Sequence, residues 1–206
     1  AVVKDSILWN NVSIEDNSRV THDVICNNVR VRPSCRINEN VFVGSNVVIG
    51  SNVTINFKDS CSIEMNGGNF ICGTYTDDIN NTKTVKFQGQ GSEKWSGIKL
   101  QNMDTITIQN TEISNVDTLY NDKYSLSIIN SKVINIDNCN VYKAGSSAGG
   151  IFVYYNTYVI MSPTLNITRN DVRVNTDNYD GIHIRPYGWL TMSPYIYRNK
   201  IINTSS

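Results

Sequence analysis

Long apolar runs are missing from this chain. No stretch reaches the roughly 18–20 residues that a membrane-spanning helix needs, so no membrane insertion is expected. A surplus of charge is missing too: 18 Lys and Arg stand against 18 Asp and Glu in 206 residues. That balance excludes the basic footprint of nonspecific nucleic-acid or anionic-membrane binding. Charged residues make up only 17%. The strong helix formers Ala, Leu, Glu and Lys are scarce, which excludes a mainly helical protein. No charged segment followed by an apolar stretch opens the sequence, so no secretory leader is read there. The five cysteines, Cys26, Cys35, Cys61, Cys72 and Cys139, form no CxxC pair, which removes zinc ribbons and thioredoxin-like motifs. They fit buried thiols that behave as small hydrophobes, with Cys26–Cys35 and Cys61–Cys72 as the alternative disulfides. Glycine-rich phosphate cradles are absent, and the two histidines, His22 and His183, stand in no Ser/His/Asp spacing.

What the chain does have is alternation. Val29-Arg30-Val31, Val53-Thr54-Ile55, Val85-Lys86-Phe87, Ile98-Lys99-Leu100, Ile106-Thr107-Ile108 and Ile182-His183-Ile184 follow a period of two, which predicts strands with one buried face. Turn formers separate them, above all the 29 Asn. The bursts also repeat. Gly97-Ile98-Lys99-Leu100, Ser125-Leu126-Ser127-Ile128, Gly150-Ile151-Phe152-Val153 and Gly181-Ile182-His183-Ile184 start 28, 25 and 31 residues apart. A second series, Asn110-Thr111-Glu112-Ile113, Asn138-Cys139-Asn140-Val141, Arg169-Asn170-Asp171-Val172 and Arg198-Asn199-Lys200-Ile201, keeps nearly the same offsets, 28, 31 and 29. Two markers in step, with length changes between them, are the signature of a solenoid. Coils of this length without helix predict an all-β fold, a right-handed parallel β-helix of about seven or eight coils. Ile98, Leu126, Ile151 and Ile182 would stack inside, and Asn would form ladders at the bends.

These motifs carry a family resemblance. Val53-Thr54-Ile55-Asn56-Phe57, then Ser62-Ile63-Glu64-Met65-Asn66-Gly67 leading to Cys72-Gly73-Thr74, then Val85-Lys86-Phe87 and Trp95-Ser96-Gly97-Ile98-Lys99-Leu100 resemble the N-terminal part of bacterial secreted right-handed β-helix repeat proteins. Residues 160–203 are similar to repeats of the same superfamily, which includes pectate-lyase-like proteins. The resemblance implies the fold and a secreted or cell-surface bacterial location. It implies no single activity, because lyases, hydrolases, epimerases, adhesins and phage spikes share the architecture. A second pattern competes locally. Ile37, Val43, Ile49 and Ile55 recur every six residues, with Gly44-Ser45-Asn46 and Gly50-Ser51-Asn52 at the corners. That looks like the hexapeptide of left-handed β-helix acyltransferases, but here it is read over only about one coil. Residues 1–28 are expected to form an N-terminal cap or first coil, and residues 29–206 the β-helix. Strand Ile201–Asn203 is followed by no polar cap, so the chain is expected to be a segment of a longer protein with flanking domains or self-association.

With Ile98 and its counterparts inward, two outward columns follow. One holds Lys99, Ser127, Phe152 and His183; the other Gln101, Ile129, Tyr154 and Arg185. Tyr155, Tyr158, Tyr187 and Trp189 fall in adjacent loops, with Asp177 and Asp180 just before the last strand. Aromatic rings pack on sugars, while Arg, His and Asp bond hydroxyls or carboxylates. The leading expectation is therefore a non-catalytic, glycan-binding or adhesive module. Its ligand-binding residues would be Phe152, Tyr154, Tyr155, His183, Arg185, Tyr187 and Trp189. The first alternative is a polysaccharide lyase or glycoside hydrolase using Asp180, His183 and Arg185. The second is a structural spike or spacer. A glycosidase needs two carboxylates in reach of one bond, and these columns, read from Lys99 on, offer none. No cofactor or metal is expected, except calcium if the site is lyase-like.

Overall fold

The computed structural model describes residues 1–8, 12–21, 24–25, 30–31, 36–38, 42–43, 46–49, 53–57, 62–73, 85–91, 94–116, 124–143, 149–156, 163–174, 180–186 and 192–203. Among them are 25 strands and no helix. All the pairings are parallel and join a strand to one about a coil away. The chain is thus an all-β parallel solenoid.

Three faces make up its larger part. The first stacks Val53–Phe57, Val85–Gly89, Thr111–Val116, Asn140–Lys143, Asp171–Val174 and Lys200–Asn203. The second stacks Ile63–Asn66, Ile98–Gln101, Tyr124–Ile129, Gly149–Tyr154 and Ile182–Arg185. The third stacks Asn46–Ile49, Asn69–Cys72, Thr105–Gln109, Val133–Asp137, Thr164–Thr168 and Tyr195–Tyr197. The period of two becomes an inside and an outside in every strand, and pairing in register piles like on like. Ile98 lies beside Leu126, Leu126 beside Ile151, and Ile151 beside Ile182, the inward column expected from the repeats. Ile106, Ile134 and Leu165 do the same on the third face. Each such side chain taken fully out of water contributes about 1.5–3 kcal/mol. Trp95 closes one corner of this core. It is fully buried, stacks on Phe57 at 4.1 Å between ring centroids, and donates Nε1–H to the Ser114 carbonyl at 2.7 Å.

The corner between the third and first faces is one or two residues long in the last four coils. Asn110, Asn138, Arg169 and Arg198 occupy it in successive coils, all with left-handed φ of 46–56°. Asparagine tolerates that conformation best among residues with a side chain. Asn138 Nδ2 donates to Asn110 Oδ1 at 2.6 Å. One residue further, Asn170 accepts from the Cys139 amide at 2.8 Å and donates to the Ile136 carbonyl at 3.1 Å, and its Nδ2 also reaches Asn199 Oδ1 at 2.9 Å. The asparagine excess therefore satisfies backbone groups at bends, as the sequence suggested. Cys72 and Cys139 are free and buried. The Cys61–Cys72 bridge is thus not made, and burial raises the Cys72 thiol well above the usual range. Cys26, Cys35 and Cys61 lie outside the described residues.

The first fifty residues wind more tightly. Val3, Val20 and Ile37 align at intervals of 17 residues; Leu8, Ile25 and Val43 align at 17 and 18; Ile14 aligns with Val31 at 17. Six-residue spacing thus starts near the N-terminus and is not limited to one coil around residues 37–55. Pairing runs across residue 28, since Ser13–Ile14 pairs with Arg30–Val31 and Arg19–Thr21 with Arg36–Asn38. Strand Val53–Phe57 lies against Arg36–Asn38, so one face of the short coils continues into the first face of the long ones.

Candidate functional site

The second face carries the candidate site. Its outward columns are those read from the sequence: Lys99, Ser127, Phe152 and His183 in one, and Gln101, Ile129, Tyr154 and Arg185 in the other. Each column begins one coil earlier than expected, with Glu64 beside Lys99 and Asn66 beside Gln101. The first column is therefore not free of carboxylates. Glu64 nevertheless stands four strands from His183, about 19 Å at the ordinary strand spacing. That is beyond the separation of a glycosidase pair.

A residue absent from the expected site joins it. Tyr124 lies in sequence parity with the inward Leu126 and Ile128, yet its ring packs outside. It runs nearly parallel to Phe152 at 4.7 Å between centroids and reaches His183 Nδ1 with its hydroxyl at 3.1 Å. Gly149 makes the room. A Cβ there would stand 2.4 Å from the Tyr124 ring and 2.8 Å from the Asp180 carbonyl. Glycine opposite an aromatic residue at a strand start was the signal available in the sequence. Phe152 in turn runs parallel to Tyr154 at 5.7 Å, and the Arg185 guanidinium sits 5.5 Å over the Tyr154 ring. His183 meets Phe152 edge-on at 5.3 Å and 85°. Tyr124, Phe152, Tyr154 and Arg185 therefore form one offset stack. Their flat faces are turned largely toward one another, and a ligand on this surface meets ring edges, hydroxyls and the exposed guanidinium.

Asp180 and His183 form the polar end. Asp180 Oδ2 is 2.6 Å from His183 Nδ1. An ionised carboxylate only accepts, so Nδ1 carries the hydrogen, and in the neutral ring the lone pair is left on Nε2. Arg185 has no acidic partner among the described residues, and its donors point to solvent chemistry rather than to an ion pair. Beneath this surface, Ser127 is an outward residue that is nonetheless only 1% exposed, and its hydroxyl has no hydrogen-bond partner.

Tyr155 is placed elsewhere. It is 0% exposed and donates its hydroxyl to the Ser131 carbonyl at 3.0 Å. It is a packing residue of the corner and meets no ligand. Burial pushes its phenol up to about 12. Tyr158, Asp177, Tyr187, Trp189, His22 and the Asp77-Asp78 pair lie outside the described residues. Among the described residues no group of three His, Cys, Asp or Glu could hold a metal ion.

Comparison with known proteins bears on the tight coils. A family model described as GlmU-like, C-terminal hexapeptide matches residues 1–62. This part of the chain is similar to the repeat of left-handed β-helix acyltransferases; the match takes in Val53–Phe57, where the pectate-lyase-like pattern was read to begin, and does not support that superfamily. Neither the curated proteins nor the solved structures contain a match.

Proposed function

We propose that this chain is an extended scaffold, secreted or displayed on a cell surface, that binds glycan through its second face. The observation that carries this reading is the stack of Tyr124, Phe152, Tyr154 and Arg185, flanked by the Asp180–His183 pair. Rigid strands hold aromatic edges and uncommitted donors side by side over three coils. That combination suits hydroxyl-rich rings, with little entropy left to lose on binding. A glycan array followed by titration calorimetry tests it. Tyr154→Ala and Arg185→Ala should each weaken the best ligand about tenfold or more. Unchanged affinity in both, or no array ligand at all, removes the proposal.

The Asp180–His183 contact favours a second reading, in which His183 Nε2 is a general base of a lyase or hydrolase. An assay for new reducing ends and unsaturated products separates the two readings. Turnover that disappears in Asp180→Asn supports catalysis, and binding without turnover supports the module. The winding belongs to the same proposal. Coils of 25–31 residues exceed three hexads, and corners of one or two residues with a left-handed φ and asparagine ladders fit a right-handed, pectate-lyase-like solenoid.

A further inference from the structure

The three long faces differ in charge. Outward on the first stand Lys86, Glu112, Asp171, Arg173 and Lys200, and on the second Glu64, Lys99, His183 and Arg185. The third carries Val48, Asn69, Ile71, Thr105, Thr107, Gln109, Val133, Asn135, Thr164, Asn166, Thr168, Tyr195 and Tyr197 on alternate positions of its strands. Asp137 is the one ionised side chain of this face among the described residues. Arg169 neutralises it by a two-pronged ion pair, and Thr168 donates to it at 2.6 Å. None of these side chains is buried, so the face is not covered in the way Ser127 is covered on the second face. At one end two tyrosines stand in the open. Tyr195 is 57% and Tyr197 46% exposed, with rings 5.8 Å apart, and Arg198 lies 5.0 Å over Tyr197.

We propose that the third face is a second binding surface, separate from the site above, for an uncharged, hydroxyl-rich polysaccharide laid across the coils. Along its strands the face carries one closed ion pair, and the only further charge beside it is the Arg198 guanidinium over Tyr197 at one edge, so its binding cannot rest chiefly on ion pairing. Thr hydroxyls and Asn and Gln amides both donate and accept, as sugar hydroxyls do. The two tyrosines supply ring surface at one end, where a sugar gains apolar contact without losing its hydroxyl bonds. Strand pairing fixes these groups in a regular grid about 4.8 Å from coil to coil, so an extended polymer can meet several coils at once and gain by multivalency.

The test is depletion of the chain from solution by suspensions of microcrystalline cellulose, chitin and insoluble neutral β-glucan, at low and high salt. At least one polymer should bind, with little loss at high salt. The Thr107→Lys/Asn135→Lys double variant sets two charges in the middle of the face, and Tyr195→Ala/Tyr197→Ala removes the rings. Each should lower the partition constant about tenfold or more, with circular dichroism unchanged. Both face variants should lose binding to the same degree when made in a Tyr154→Ala/Arg185→Ala background, where the second-face site is already removed, so this proposal and the previous one fail separately. No depletion by any of the three polymers overturns it. So does depletion indifferent to both face variants in folded protein. A concentration-dependent dimer that the lysines dissolve overturns it as well, because the face would then belong to a second copy.

Discussion

Gly149 shows how one missing atom arranges several others. Because no Cβ stands there, the Tyr124 ring crosses the strand, stacks on Phe152 and reaches His183. Gly149→Ala should cost about 1–3 kcal/mol and move Tyr124 away. Thermal unfolding will report the first effect, and the His183 ring resonances in NMR the second. Tyr155 is the residue at which pH acts most plainly. Burial raises its phenol from 10.0 to about 12, so the folded state holds that proton after the unfolded chain has released it. Its contribution is complete below about pH 10 and is lost as pH rises through about 12, a loss of about 3 kcal/mol in all. Denaturant melts from pH 9 to 12 should show the decline. Tyr155→Phe should make it shallower without removing it, because the buried Cys72 thiol loses its proton later than the unfolded chain in the same window, and the variant costs about 1 kcal/mol for the bond to Ser131.

At the scale of strands and corners, the asparagine ladder makes the sharpest demand. Asn170 serves the buried Cys139 amide and the Ile136 carbonyl together. Asn170→Ala strands both, and each orphaned group costs about 1–3 kcal/mol. Asn170→Asp keeps the acceptor for Cys139 and loses the donor to Ile136, so it should fall between the alanine variant and the parent in chemical denaturation. The same elements explain what could be read in advance. In a parallel stack the period of two fixes which side chains face out, and equal offsets fix which ones meet. Phe152 beside His183 and Tyr154 beside Arg185 followed from spacing alone. Tyr124 did not, because its parity is inward and only the neighbouring coil's glycine lets it turn. Tyr155 looked like a loop residue because the corner it fills is made in three dimensions. The tight coils near the N-terminus are hidden for a simpler reason. Val3 and Leu8, and again Val20 and Ile25, are five residues apart where the other steps are six, and those short steps break a count that resumes at Val31 and Ile37.

The whole molecule is two coil sizes on one axis. Strand Val53–Phe57 lies against Arg36–Asn38, which joins the short coils to the long ones. Contacts in such a stack are nearest-neighbour, so protection should grade from the ends inward. Hydrogen exchange should be fastest in Val2–Leu8 and Tyr195–Asn203, whose apolar side chains are largely exposed. It should be slowest in strands Ile98–Gln101, Thr105–Gln109, Tyr124–Ile129 and Val133–Asp137, where most of them are buried. Uniform protection along the chain would contradict a nearest-neighbour stack. The corner held by Asn110, Asn138, Arg169 and Arg198 sets a last limit. It links third-face to first-face strands through one or two residues in four successive coils, while the other two corners vary in length. Peptides grafted at those two edges would extend the prism sideways without disturbing its pitch; a graft into the short seam would pry adjacent rungs apart.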